Sequence, residues 1–459
     1  MAKNNKFEFY IPLLLSGIML IALKVPYLEK PFCYSEAQLL NESIFFLKAN
    51  GIGTVFNEES VQLPDLYSFV MSFFARYVTA EIFFIHLLTI IFSLLTIFVA
   101  YKFGKFFFSI QAGVMAASIV TVQNIFLAQT GLVLPNMMLT CCLLTSLYTF
   151  YREKFVLCSI FLTLASLTDI IGFVTAIFIL IAYYKTCKNR EWKMATNMLF
   201  CIPIALWFIY QITSIIICGK ISVRDINFDV MNFVKNLDFI FVKQFRFIIT
   251  AILIISILIN VISKNILIFI VKNILKITWI YIILLFVITS VFTDNESSNL
   301  ILVTILAIAT GCALSTLNIS YYMKYTFTCA LIVVFAFNTI YEKDYTDSYL
   351  SLKDKIQVDQ QTISRIKEYT ESGQTILCDK YYKMYLEDSR LGYVDLDFKG
   401  YDRFKIITKN SDTTSNYDFV IYNPFCPASI MLEVENSANY HNISTISINK
   451  YITKIYKGE

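Results

Sequence analysis

The sequence predicts an all-α polytopic membrane protein followed by a small C-terminal α/β extracytoplasmic domain, and three observations carry that prediction. The 459 residues are 57% hydrophobic and only 16% charged, against about 25% charged in an ordinary soluble domain. Apolar runs of about 18 residues or more recur up to about residue 340, each long enough to cross a bilayer core about 30 Å thick. Beyond that point the chain turns polar and short β-prone runs replace the long apolar ones. Net charge is +4, but most Lys and Arg fall between apolar runs, where they read as topology signals rather than a nucleic-acid surface.

The first apolar run follows Met1-Ala2-Lys3-Asn4-Asn5-Lys6, lacks a small-residue cleavage site and ends at Lys24-Val25-Pro26. It therefore reads as a retained signal-anchor helix. About eleven spans are expected, near 8–26, 81–103, 107–127, 132–151, 154–170, 171–185, 196–218, 243–263, 267–293, 298–317 and 321–340. Asp169 and Gly172 interrupt an almost continuous apolar stretch and mark the turn of a tight helical hairpin; Lys272 and Lys276 suggest an interfacial helix leading into its span. With the N-terminus cytoplasmic, the connections around Lys102-Phe103-Gly104-Lys105, Arg152-Glu153-Lys154 and Lys185 to Lys193 are basic, as cytoplasmic loops should be. The loop Thr293-Asp294-Asn295-Glu296 is acidic and falls outside, together with 27–80 and the tail 341–459.

The outer loop 27–80 carries two further expected helices. From Glu36 to Lys48, apolar residues recur at helical spacing against Gln38, Asn41, Glu42 and Lys48, the pattern of a helix lying on a membrane surface. After Pro64 an aromatic-rich helix is expected over Leu66 to Tyr77. Residues 1–340 thus form a transmembrane domain bearing the loop 27–80. Residues 341–459 form a separate α/β domain with a polar helix over Asp354 to Ser372 and β runs at 375–378, 404–408, 417–422 and 446–456. Most of the eleven cysteines lie in apolar segments, where Cys acts as a small hydrophobe; Cys378 and Cys426, in the tail, read either as a pair or as two thiols. No C-x-x-C pair occurs and there are only two histidines, which argues against a Cys/His zinc site.

The order and spacing of residues 8–185 resemble the GT-C superfamily of membrane glycosyltransferases, in the bacterial branch related to dolichyl-phosphate-mannose protein mannosyltransferases and aminoarabinose transferases. The family's Asp-Glu pair after the first span falls on Ser35-Glu36, and its His-Pro-Pro-Leu-like element on Gln62-Leu63-Pro64-Asp65-Leu66. An Arg-Leu in the second span is matched by His86-Leu87, the phrase leading into the third span by Val99 to Phe107, and the closing Ile-x-Lys-Ile-Tyr-Lys by Ile452 to Lys457. A family Asp falls on Asn136, and a Leu-Thr-Lys element on Leu167-Thr168-Asp169. Three positions thus depart from the family's chemistry, since Ser35, Asn136 and Asp169 stand where it has Asp, Asp and Lys.

The resemblance implies a multi-pass protein of the bacterial inner membrane that moves a sugar from a polyprenyl-phosphate carrier to an envelope acceptor, with membrane lipids around it and no nucleic-acid partner. It also implies a divalent metal, Mg or Mn, as the one cofactor. Such a transfer needs a base for the acceptor proton and cationic or metal neutralisation of the departing phosphate. Glu36 is the foremost base candidate, against the competing reading of a solvated first-turn carboxylate; Asp65 is the second, against that of a helix-start residue. His86, ionisable at membrane depth, and Asn136 are candidate substrate-binding residues, His86 reading equally as a residue bonded to a neighbouring helix. Arg76 and Arg224 are candidate phosphate-binding cations, which snorkelling would explain as well. Asp169 is a candidate metal ligand or an ordinary turn carboxylate. The departures at three positions keep a second function open, a catalytically inactive GT-C-like protein acting as a subunit or carrier-binding protein. A transporter finds little support, with no repeated half and no pair of broken helices.

Overall fold

The structure, a computed structural model, describes residues 11–25, 28, 36, 39, 63, 65–78, 82–186, 194–218, 281–282, 284–285, 299–315, 320, 322–326, 328–330, 332–333, 357–370, 374–378, 404–407, 417–422, 434, 439–448 and 451–458. Its helices are α1 (Ile11–Lys24), α2 (Leu66–Tyr77), α3 (Ile82–Phe107), α4 (Ile110–Thr121), α5 (Asn124–Thr130), α6 (Pro135–Tyr151), α7 (Phe155–Thr168), α8 (Ile170–Thr186), α9 (Met194–Cys218) and α10 (Leu300–Ser315). A further helix runs over 357–369. The chain divides into two compact units, one of residues 1–26, 48–70 and 87–338, the other of 27–47, 71–86 and 339–459. The expected spans at 243–263, most of 267–293 and most of 321–340 lie outside the described residues, as does most of the expected 36–48 helix.

In the first unit the helices are turned inside out relative to a soluble bundle. On α1 the exposed residues Ile11, Leu14, Ile18 and Ile21 recur at steps of three and four, while Ser16, Leu20 and Lys24 are buried on the other side. On α9 the exposed stripe is Met198, Ile202, Phe208, Ile209, Ile212 and Ile216, with Gln211 and Ser214 buried. Apolar side chains facing outward and hydroxyl or amide groups facing inward are what a lipid surround selects, because inward polar groups can bond to neighbouring helices. Among the described residues two helices, Phe83–Phe107 and Asn197–Ile216, are long and apolar enough to cross a membrane singly, and α4 with α5 makes a third candidate bent by 69°.

Small residues set the closest helix approaches. A methyl on Gly113 would stand 2.4 Å from the Tyr101 carbonyl oxygen, and one on Gly104 2.8 Å from that of Ala112, which pins α3 against α4 across the Ser109-capped turn. A methyl on Gly311 of α10 would meet the Ala116 backbone of α4 at 2.5 Å. Gly311→Ala is therefore expected to destabilise by about 1–3 kcal/mol through overpacking. Gly17→Ala, where nothing lies within 4 Å of the added methyl, is expected to be neutral or stabilising by up to about 1 kcal/mol. Thermal unfolding of the purified protein in detergent separates the two.

The expected 154–185 hairpin is present as α7 and α8, joined at Asp169. The expected continuous 107–127 span is corrected to two helices broken at Val122-Gln123. Basic residues at the α3 and α6 C-terminal ends lie over rings: Lys102 on Phe98, Lys105 on Tyr101, and Arg152 on Phe106 and Tyr148.

The second unit holds a five-stranded mixed sheet in the order β2-β1-β3-β5-β4, with β1 (Gln374–Leu377), β2 (Phe404–Ile407), β3 (Phe419–Tyr422), β4 (Tyr440–Ile448) and β5 (Tyr451–Gly458). β1 pairs in parallel with β2 and β3, and β5 pairs antiparallel with both β3 and β4. Leu377, Val420, Val434 and Tyr456 form its buried cluster. Asp418 ties β3 to β1 by accepting from the Thr375 amide at 2.6 Å and its hydroxyl at 2.8 Å. The single run expected at 446–456 is corrected to parts of two strands, because Ile448 pairs with Tyr451 and the chain reverses between them. Cys378 is buried, and Cys426 lies outside the described residues.

Candidate functional site

Glu36 and His86 meet inside the second unit. The His86 Nε2 atom lies 3.6 Å from Glu36 Oε1, and both side chains are 2% exposed or less. His86 faces inward from the first turns of α3, on the face that continues through Thr89, Ser93 and Thr96, while Phe84, Ile91 and Leu95 face out. That alternation at helical period is why a polar residue in an apolar helix ends up buried here. The separation exceeds a good N–H···O bond, about 2.7–3.2 Å, so the two groups are in electrostatic contact with room to tighten. Catalytic hydrogen bonds are commonly loose before substrate binds.

Asp65 takes the helix-start role. Its Oδ1 accepts from the Ser68 amide at 2.6 Å and its backbone oxygen from the Phe69 amide at 2.9 Å, which makes it the N-cap of α2. The segment before it is held in the first unit by the Tyr210 hydroxyl of α9, which donates to the Leu63 carbonyl at 2.9 Å. Asp169 ends α7 and begins α8: its amide donates to Ala165 O at 3.0 Å, its Oδ1 accepts from the Ile171 amide at 2.9 Å, and its carbonyl accepts from the Gly172 amide at 2.9 Å. Asp169→Ala and Asp65→Ala are each expected to cost about 1 kcal/mol as lost N-caps, and the Asn replacements much less, read as a drop in Tm.

A divalent metal does not fit at Asp169. Among the described residues no group of three or more His, Cys, Asp or Glu gathers there or elsewhere, and the carboxylate's Oδ1 accepts from the Ile171 amide. Asn136, near the start of α6, is buried and donates from Nδ2 to Gln129 Oε1 at 3.2 Å. Arg76 lies on α2 with its side chain outside the described atoms, and Arg224 lies outside the described residues.

Two polar residues not singled out in the sequence occupy the α1, α4 and α5 region of the first unit. Lys24, ending the inward stripe of α1, is 2% exposed, and its Nζ lies 3.5 Å from where a Gly131 Cβ would stand. Gln123, at the α4–α5 break, is 1% exposed. The Lys24 signal was present in the sequence as Ser16 and Lys24, two polar residues eight apart on the side of α1 opposite the apolar stripe.

No protein-family model matches the chain, and a search of the curated proteins finds no match. Solved structures do match. ArnT from Cupriavidus metallidurans bound to undecaprenyl phosphate aligns at a TM-score of 0.58 and 10% identity, over 96% of this chain and 97% of that one. The apo form aligns at 0.61 and 10% identity, over 97% of each. The Archaeoglobus fulgidus oligosaccharyltransferase in its apo form aligns at 0.53 and 11% identity, over 94% of this chain and 71% of that one. Identities this low with coverage this full are a likeness of architecture. The chain has the GT-C fold of these membrane glycosyltransferases.

Proposed function

We propose that this protein is a multi-pass inner-membrane glycosyltransferase that moves a sugar from a polyprenyl-phosphate carrier to an extracytoplasmic acceptor, with Glu36 as the base. The observation that carries the reading is the buried Glu36–His86 pair. A carboxylate set beside an imidazole away from water is costly to maintain as mere scaffolding, and it falls where the GT-C resemblance expects the acceptor base. In the transfer, the Glu36 carboxylate takes the acceptor hydroxyl proton while that oxygen attacks the anomeric carbon. The bond from that carbon to the phosphate oxygen breaks, and polyprenyl phosphate leaves. His86 holds the carboxylate in place, and burial keeps out water, which would otherwise compete as nucleophile.

The carrier assignment draws on the fold it shares with ArnT, which has been solved with undecaprenyl phosphate bound. The basic residues Lys102, Lys105 and Arg152 over aromatic rings support a cytoplasmic placement for that end of α3 and α6, in keeping with the reading that has the N-terminus inside. Asp65 and Asp169 cap helices and remain candidates beside Glu36, with Asn136, Arg76 and Arg224 as candidate contacts to the carrier headgroup.

The test is reconstitution in lipid with a panel of polyprenyl-phosphate sugars and envelope acceptors. Turnover with at least one donor is expected. Carrier binding without turnover on any donor would replace this reading with the inactive, carrier-binding one, to which the neutral Asn136–Gln129 pair at the position of a family acid already points.

A further inference from the structure

We infer that the break between α4 and α5 is a ligand subsite, in which the side-chain oxygen of Gln123 accepts a hydrogen bond from a sugar hydroxyl. The inference rests on the glycosyl-transfer reading and adds to it a recognition residue that neither the resemblance nor the Glu36–His86 pair supplies.

The break has no local cause in the sequence. Sharp kinks in helices come almost always from Pro, from Gly or Ser pairs, or from an inserted group, and the chain here reads Thr121-Val122-Gln123. The two axes nevertheless differ by 69°. The 12 residues of α4 rise about 18 Å, short of a hydrocarbon core of about 30 Å, so the break lies at membrane depth. Irregular backbone persists there only where protein buries it or a polar cavity borders it.

Gln123 itself is almost fully used. Its amide donates to Val120 O at 3.2 Å and its carbonyl accepts from the Leu127 amide at 2.9 Å, so its backbone ends one helix and begins the next. Its side-chain Nε2 donates to Ile119 O at 3.1 Å. That bond fixes the amide orientation, since the flipped amide would set oxygen against oxygen. What remains is Oε1, buried, aimed away from Ile119 and accepting no hydrogen bond. Buried acceptors left without a donor are rare and call for a specific explanation.

Polar contacts recur along α1, α4, α5 and α6 on either side of the break. Ser16 and Ser118 approach at 3.3 Å where α1 meets α4. At the far end of α5, Lys24 stands beside Gly131, and Gln129 holds Asn136. A lone oxygen locked in one orientation selects a hydroxyl donor, the group that sugars carry in number. The hydroxyl belongs either to the carrier-linked sugar or to a sugar acceptor, and the two sources separate in the test.

The experiment uses the full chain in lipid nanodiscs, with Gln123→Leu and Gln123→Met alongside wild type, each kept only if its Tm stays within a few degrees of wild type. Affinities for bare polyprenyl phosphate and for the sugar-bearing carrier are measured, together with the KM for acceptor. Weakening of the sugar-bearing carrier by about tenfold, with bare-carrier affinity unchanged, is expected and assigns the hydroxyl to the donor. A comparable rise in acceptor KM with both carrier affinities unchanged supports the subsite with the acceptor as source. Unchanged values throughout overturn the inference, Oε1 then holding only a buried water. Equal weakening of both carriers also overturns it, because the effect would not depend on the sugar. A wild-type protein that binds neither carrier overturns the transfer reading itself, a failure distinct from the other two.

Discussion

Glu36→Gln is expected to lower the turnover of sugar transfer by about 10²–10⁴-fold, the usual share of a general base, while leaving carrier affinity and Tm near wild-type values. The amide matches the carboxylate in shape and volume, so the buried site keeps its packing. It cannot take a proton at neutral pH, so the acceptor hydroxyl must attack undeprotonated. Because the lost interaction exists only in the transition state, kcat and kcat/KM should fall together with little change in KM. Glu36→Asp, one methylene shorter, should recover part of the rate, since it restores a base at the wrong reach. Single-turnover measurement with the labelled carrier distinguishes a slowed chemical step from slow product release. Turnover unaffected by Glu36→Gln would remove Glu36 as the base.

How far the sequence could be read depended on whether a feature had a local cause. The α7–α8 hairpin was legible because Asp169 is a carboxylate inside an otherwise apolar stretch, and a short acidic residue there is best used as a cap, as its bond to the Ile171 amide shows. The helix over Leu66–Tyr77 was legible from Pro64 just before it, and the structure adds Asp65 as its N-cap. The bend at Gln123 was not legible, because Val122 and Gln123 carry no Pro or Gly breaker signal. The β4–β5 hairpin was read as one run because Asn449-Lys450 is a weak turn signal between two β-prone stretches. At the candidate site, His86 stood out as an ionisable residue in an apolar helix, and Glu36 as the carboxylate opening the amphipathic run after the first span. Their approach to 3.6 Å could not be read from one sequence. Fifty residues separate them, and no periodicity links a loop position to a helix position that far away.

That approach makes the second large prediction a thermodynamic one. His86→Leu is expected to destabilise the protein by about 3–5 kcal/mol, because it removes the imidazole 3.6 Å from the buried Glu36 carboxylate. Glu36→Leu removes the carboxylate beside the buried imidazole and should also be costly. The double substitution removes both desolvation penalties and puts two aliphatic side chains into a site that is buried. It should therefore be more stable than the sum of the single losses predicts, with a coupling of about 1–3 kcal/mol. The four proteins can be compared by denaturant or thermal unfolding in one detergent. Strictly additive losses would mean that the two groups do not interact and that His86 is a helix residue independent of Glu36. A large coupling, joined to loss of turnover in His86→Gln with retained fold, would make His86 the positioning residue of the base. The double variant then separates the two roles of the pair, since it would be stable and inactive: the chemistry needs a carboxylate where the fold alone would do better with a hydrocarbon.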